Sequence, residues 1–188
     1  YPAAVRLIET HVVDMMNQWY AKTVGAWMKA LPLEWSAQSP RTNLAFARMH
    51  IIRGEIAQAS PYLERLQALF SGPQIGVGAT PLLKYKAVWL ALLSSLTSAQ
   101  EKPAEALALA KQALEIAPEN DLDALCQIYL ALAVAYQQMA DIPHAIEAYQ
   151  KLIQLGQMSA NILMELLGIS AQALMVIQRG KLRYGFEL

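Results

Sequence analysis

Four short segments open alike and recur along the chain at a spacing of about forty residues. They are Gly54-Glu55-Ile56-Ala57-Gln58-Ala59, Glu101-Lys102-Pro103-Ala104-Glu105-Ala106, Ala140-Asp141-Ile142-Pro143-His144-Ala145 and Gly180-Lys181-Leu182-Arg183-Tyr184-Gly185. The small residues that close them, Ala59, Ala106, Ala145 and Gly185, lie 47, 39 and 40 residues apart. A period near forty that holds two helices belongs to a solenoid, in which each unit buries its apolar face only against its neighbours. The local pattern agrees. Val5, Ile8, Val12 and Met15 make one apolar face at three- and four-residue spacing, and Leu63, Leu66, Leu69 and Phe70 make another. Ala and Leu dominate, and β-branched alternation is nowhere sustained, so strands are not expected.

Breakers divide the chain into helices. Pro2 suits a first helical turn, and Pro32 ends a helix. Ser39-Pro40 starts the next helix with a capping hydroxyl and a first-turn proline, and Gly54 stops it. Residues Ser71 to Pro81 form the longest loop, with Thr80-Pro81 as the restart. Pro103 opens another helix and Pro118 follows its end. Asn120-Asp121 caps a helix over about Leu122 to Met139; Asp141 caps one to about Leu155, with Gly156 as its stop. The last long helix is expected from about Ala160 to Arg179, before Gly180. This gives nine complete helices and the start of a tenth.

One unit fits the tetratricopeptide pattern position by position. Tyr129, Leu132, Ala133 and Tyr136 stand at the spacing of W-x2-L-G-x2-Y, and Ala145 and Tyr149 at that of A-x3-F. Ala133 and Ala145 are small where two helices must cross closely, and the tyrosines fill the gaps between helix pairs. Trp89, Leu92, Leu93 and Leu96, with Ala106 and Pro118, make a degraded copy. The expected fold is therefore all-α: a tetratricopeptide-like α-α superhelix, a right-handed solenoid of about five helix pairs. Residues 1–188 form a single helical-repeat domain, with pairs at about 1–38, 39–79, 80–119, 120–157 and 158–188. The last pair reads as cut short. With Tyr1 in place of an initiator Met, the sequence is expected to be a fragment of a longer chain.

Composition narrows the function. Lys+Arg and Asp+Glu are equal at 15 each, so there is no basic excess for nucleic acid or an anionic membrane surface. The single cysteine, Cys126, excludes an internal disulfide. The longest strongly apolar stretch, roughly Ala87 to Leu96, is about half of what a membrane span needs, and the first residues are not a signal peptide. A cytoplasmic chain is expected.

Catalytic patterns are missing. The glycines of Gly72 to Gly78 are not followed by the Lys-Ser/Thr of a phosphate-binding loop, and the segment reads as a connector. His11, His50 and His144 are scattered over different repeats, and Cys126 stands alone, so no metal site is expected. His144 should sit near a helix start and His50 should pack within a repeat. No nucleophile elbow or Cys/His signature occurs, and Cys126 reads as a small buried residue. Asp121 and Asp123, near Glu115 and Glu119, read as helix caps, and Trp19, Trp27, Trp35 and Trp89 as core. The chain is expected to be no enzyme and to hold no cofactor of its own. What remains is the concave face, lined in such an array by the first helix of each pair. Inner positions counted from the fitted repeat are Arg41, Arg48, Ser94, Gln127, Gln137, Gln138, Ser170 and Gln178, among Leu44, Leu130, Val134 and Leu174. Neutral hydrogen-bonding groups beside apolar ones suit a small polar ligand or a peptide, and the two arginines suit a carboxylate or phosphate.

The run Val24-Gly25-Ala26-Trp27-Met28-Lys29-Ala30-Leu31-Pro32, then Ser39-Pro40-Arg41-Thr42-Asn43-Leu44-Ala45-Phe46-Ala47, then Gly54 and Ala59-x3-Leu63, resembles the superhelical sensor region of the large ATP-binding LuxR-type transcriptional regulators, the MalT-like group. It departs from them at Arg48, where relatives carry a bulky apolar residue, and at Gly185, an alanine slot. The resemblance implies a sensor that receives a small-molecule inducer or a regulatory protein. It also implies an ATPase domain and a helix-turn-helix outside this chain, with ATP bound there, and self-association as an output. The alternative is a generic tetratricopeptide scaffold for peptides or partner helices, unrelated to transcription.

Overall fold

A computed structural model describes Ala3, Leu7, Ile8, Thr10, His11, Met15 and residues 20–30, 39–71 and 79–178. Eight helices occupy these residues and no strand does: α1 (Ala21–Ala30), α2 (Pro40–Ile52), α3 (Ile56–Ser71), α4 (Ala79–Ala99), α5 (Pro103–Ile116), α6 (Leu122–Gln138), α7 (Ile142–Met158) and α8 (Ile162–Gln178). The fold is a tetratricopeptide-like helical superhelix. The expected ends at Pro2 and Pro32, the Gly72 to Gly78 loop, Trp19, Trp35 and the segment from Gly180 lie outside the described residues.

Local chemistry sets most boundaries as read. Ser39 caps α2 by accepting a bond from the Thr42 amide at 3.2 Å, and Pro40 follows it. Gly54, at φ +71°, takes the left-handed turn between α2 and α3. Asp121 caps α6 through the Ala124 amide at 3.1 Å. The end of α7 differs from the expectation. Gly156 does not stop the helix, which continues to Met158 before the chain turns at Ala160, φ 53°. Gly156 is there for proximity, because a Cβ on it would stand 2.8 Å from the backbone nitrogen of Glu165 in α8. Asp141 precedes α7 but gives no capping bond; its carboxylate is taken by His144, at 2.8 and 2.9 Å.

From α2 onward each helix packs on the next, and first helices also pack on each other: α2 on α4, α4 on α6, α6 on α8. This is the connectivity of stacked helix pairs. The small residues that close the repeats, Ala59, Ala106 and Ala145, are all fully buried, as is Ala133. With only a methyl group between them, the helix axes approach closely. One apolar cluster runs through α4 to α8 around Ile128, Leu152 and Met164. A second joins α2, α3 and α4 to Ala124 at the start of α6. A third, smaller one holds Ile8 and Val24 against Phe46 and Met49 of α2. Cys126 and Tyr149 are buried in the first cluster, and Trp27 and Trp89 pack at the edges of others. The Trp89 indole donates to the Leu63 carbonyl at 3.1 Å, tying α4 to α3. His144 stacks on Tyr136, and His50 stacks on Tyr62 and contacts Glu55 at 2.7 Å.

Candidate functional site

The inner positions read from the sequence separate into closed and open ones. Arg48 of α2 is 5% exposed and reaches α6, where its Nη1 donates to Asp123 at 3.3 Å. Gln127, one turn further along α6, is equally buried. Its amide oxygen belongs on the guanidinium side, where it accepts from Nη2 at 3.1 Å and Nε at 3.2 Å; the opposite orientation sets donors against donors. Arg48 and Gln127 therefore form a latch between first helices two repeats apart and are withdrawn from a ligand. Ser94 corrects the expectation as well: it is fully buried, and its hydroxyl donates to the Ala106 carbonyl at 2.7 Å inside the α4–α5 pair. Gln137 turns toward α7, accepting from the Tyr149 hydroxyl at 2.8 Å. A helix-wheel position shows which way a Cα faces; it does not show that a neighbouring helix covers it.

The open positions are fewer. Arg41 is half-buried and donates to the Thr10 carbonyl at 3.2 Å. Gln138 is exposed and donates to the Ser98 carbonyl at 3.2 Å. Ser170 is exposed on α8. The side chain of Gln178 lies outside what is described. These positions come from α2, α6 and α8, and no cavity among the described ones is lined by them.

A cavity of about 780 Å³ opens instead among α1, α2 and α3. Its wall carries Lys22 of α1, His50 at the end of α2, Arg53 in the turn and Arg65 of α3, together with Tyr62 and Met49. Tyr62 organises this wall. Phe46 meets its ring edge-on at 5.7 Å, His50 stacks on it at 5.7 Å, and the Arg65 guanidinium lies over it at 5.1 Å. Glu55 is the one carboxylate in the lining and contacts His50. Among the described residues Lys22, Arg53 and Arg65 have no carboxylate partner. The sequence reading missed these three because it searched first helices only. The available signal was local: Tyr62 and Arg65 are three apart on α3, and Arg53 stands beside the turn glycine.

A second cavity, of about 570 Å³, lies over α5, α6 and α7, with Tyr129, Tyr136, His144 and Lys151 in its lining. No group of three or more His, Cys, Asp or Glu among the described residues is placed to hold a metal ion. No described helix is long and apolar enough to cross a membrane. Burial raises the Cys126 thiol from 9.0 to about 11; an interaction with Ser159 opposes the shift and nearby Asp123 adds to it. That is the reverse of what a nucleophile needs.

Residues 127–155 match the tetratricopeptide repeat family, over the second half of α6, the turn and most of α7. No curated protein and no solved structure matches the chain. Repeats of this type are, as a class, scaffolds that bind protein partners, and the chain carries such a repeat within a helical array.

Proposed function

We propose that the chain is the sensing and interaction segment of a transcriptional activator, a helical-repeat module that receives a ligand or regulatory protein and relays the event to ATPase and DNA-binding domains outside it. The observation that carries this reading is the ordered run from Val24 through Leu63, which resembles the sensor superhelix of the MalT-like regulators. The geometry lends support at the same place. Gly25 and Ala26 of that run, with Met49, His50 and Tyr62, line the open α1–α3 cavity. A receptor segment needs an accessible recess of a few hundred Å³ with polar groups converging on it.

A second reading is a general scaffold for peptides or partner helices. It is favoured by the repeat match at 127–155, which lies away from the run that carries the resemblance. Two experiments separate them. A thermal-shift screen against sugars, aromatic acids, amino acids and short peptides reports ligands of the folded state by mass action. A reproducible shift from one small-molecule class supports the sensor; shifts from peptides alone support the scaffold. The reading frame is the second test. The sensor reading expects a phosphate-binding-loop ATPase encoded before this segment and a helix-turn-helix after it. A full frame with neither removes the transcriptional role and leaves the binding module.

A further inference from the structure

The chain as a whole carries no net charge, yet the α1–α3 cavity gathers three cations that no described carboxylate neutralises. By contrast, Arg48 pairs with Asp123 and Lys84 with Asp121. Glu55, the one carboxylate in the lining, contacts His50 at 2.7 Å, and the three cations outnumber it. Arg65 is the most constrained of the three. Its guanidinium is laid over the Tyr62 ring at 5.1 Å, and its Nη1 is buried without a hydrogen-bond partner among the described residues. A buried guanidinium donor left unsatisfied is costly. Arg65 also lines the cavity, where an acceptor can meet the open side of its guanidinium. Stacking on an aromatic face fixes the guanidinium plane and leaves its edge for a planar or tetrahedral oxyanion. Tyr62 and Met49 add an apolar surface in the same recess.

We propose that the α1–α3 cavity is a binding site for a small organic anion, whose carboxylate or phosphate is held by Arg65 with Arg53 and Lys22 and whose apolar body lies against Tyr62 and Met49. The site stands on the cavity and its charges, whether or not the chain serves transcription. Arg53 and Lys22 are exposed and steer the anion in, while Arg65 fixes its orientation.

The test is calorimetric titration of the full chain at low salt with three probes of similar shape: phenyl phosphate, benzoate and the neutral benzamide. Saturable binding of at least one anion, with none of benzamide, is expected. Arg65→Gln should weaken it tenfold or more, the scale of a lost charged hydrogen bond. Lys151→Gln, in the second cavity, should leave it unchanged. A preference for phenyl phosphate or for benzoate identifies the head group, and either preference supports the site. If circular dichroism shows that Arg65→Gln unfolds the chain, the exposed pair Lys22→Gln with Arg53→Gln takes its place, with a loss of at least fivefold expected. No saturable binding of either anion, benzamide binding as tightly as the anions, or affinity untouched by the cavity substitutions each overturns the proposal. These outcomes leave the transcriptional reading to be decided separately by the reading frame.

Discussion

Replacing Gly156 by alanine tests the packing of the array against local helix preference, because the two make opposite predictions. Gly156 lies inside α7, where alanine is favoured over glycine by about 1 kcal/mol in an exposed helix. In the structure the added Cβ would stand 2.8 Å from the Glu165 amide nitrogen, 3.1 Å from its Cα and 3.2 Å from its Cβ. Two of these neighbours are backbone, so no rotamer change relieves them. The helices must separate, and overpacking of this kind costs roughly 1–3 kcal/mol. The net expectation is a loss of up to about 2 kcal/mol, concentrated at the α7–α8 contact. Gly25→Ala in α1 is the control, since a Cβ there meets nothing within 4 Å and the helix preference should act alone. Urea unfolding followed by far-UV circular dichroism gives both values. Hydrogen exchange should place the loss of protection in α8 first, because a solenoid unit is held only by its neighbours. A Gly156→Ala variant stabilised as much as Gly25→Ala would refute the close-packing argument.

Other predictions follow from the same contacts. Arg48→Ala should destabilise the fold by on the order of 2–4 kcal/mol, because it strips Gln127 and Asp123 of their buried partner; chemical denaturation measures it. Asp121→Ala removes the α6 cap and a contact to Lys84 at 2.7 Å, and should cost about 1–2 kcal/mol in the same assay. Burial raises Cys126 from 9.0 to about 11 and Tyr149 from 10.0 to about 12. Between pH 9 and 11 the unfolded thiol has lost its proton and the folded one retains it, so stability is intact below pH 9 and falls as pH rises. The thiol's share approaches roughly 2–3 kcal/mol at pH 11, and Cys126→Ala should flatten the alkaline limb of a stability profile.

The repeat architecture was legible because its signals are local and redundant. Ser39, Pro40, Gly54, Pro103 and Asp121 act within one turn of where they stand, and Ala59, Ala106 and Ala145 mark close crossings by size alone. Gly156 misled because glycine serves two purposes, stopping a helix or admitting a neighbour, and only the position of Glu165 decides between them. The binding surface was harder to read. Arg48, Ser94 and Gln127 stand on first helices, but the approach of α2 to α6 covers Arg48 and Gln127, and the α4–α5 contact covers Ser94. Those approaches are sums over many contacts and are written in no single residue. The α1–α3 cavity joins a helix end, a turn and a second helix, so no one periodic face contains Lys22, Arg53 and Arg65.

The most direct measurement is a crystal structure of the chain grown with phenyl phosphate. The account predicts density for the phosphate in the α1–α3 cavity, within hydrogen-bond distance of Arg65 and with the phenyl ring beside Tyr62. Density on the α6–α8 surface at Gln138 or Ser170, with the α1–α3 cavity holding only solvent, would contradict it.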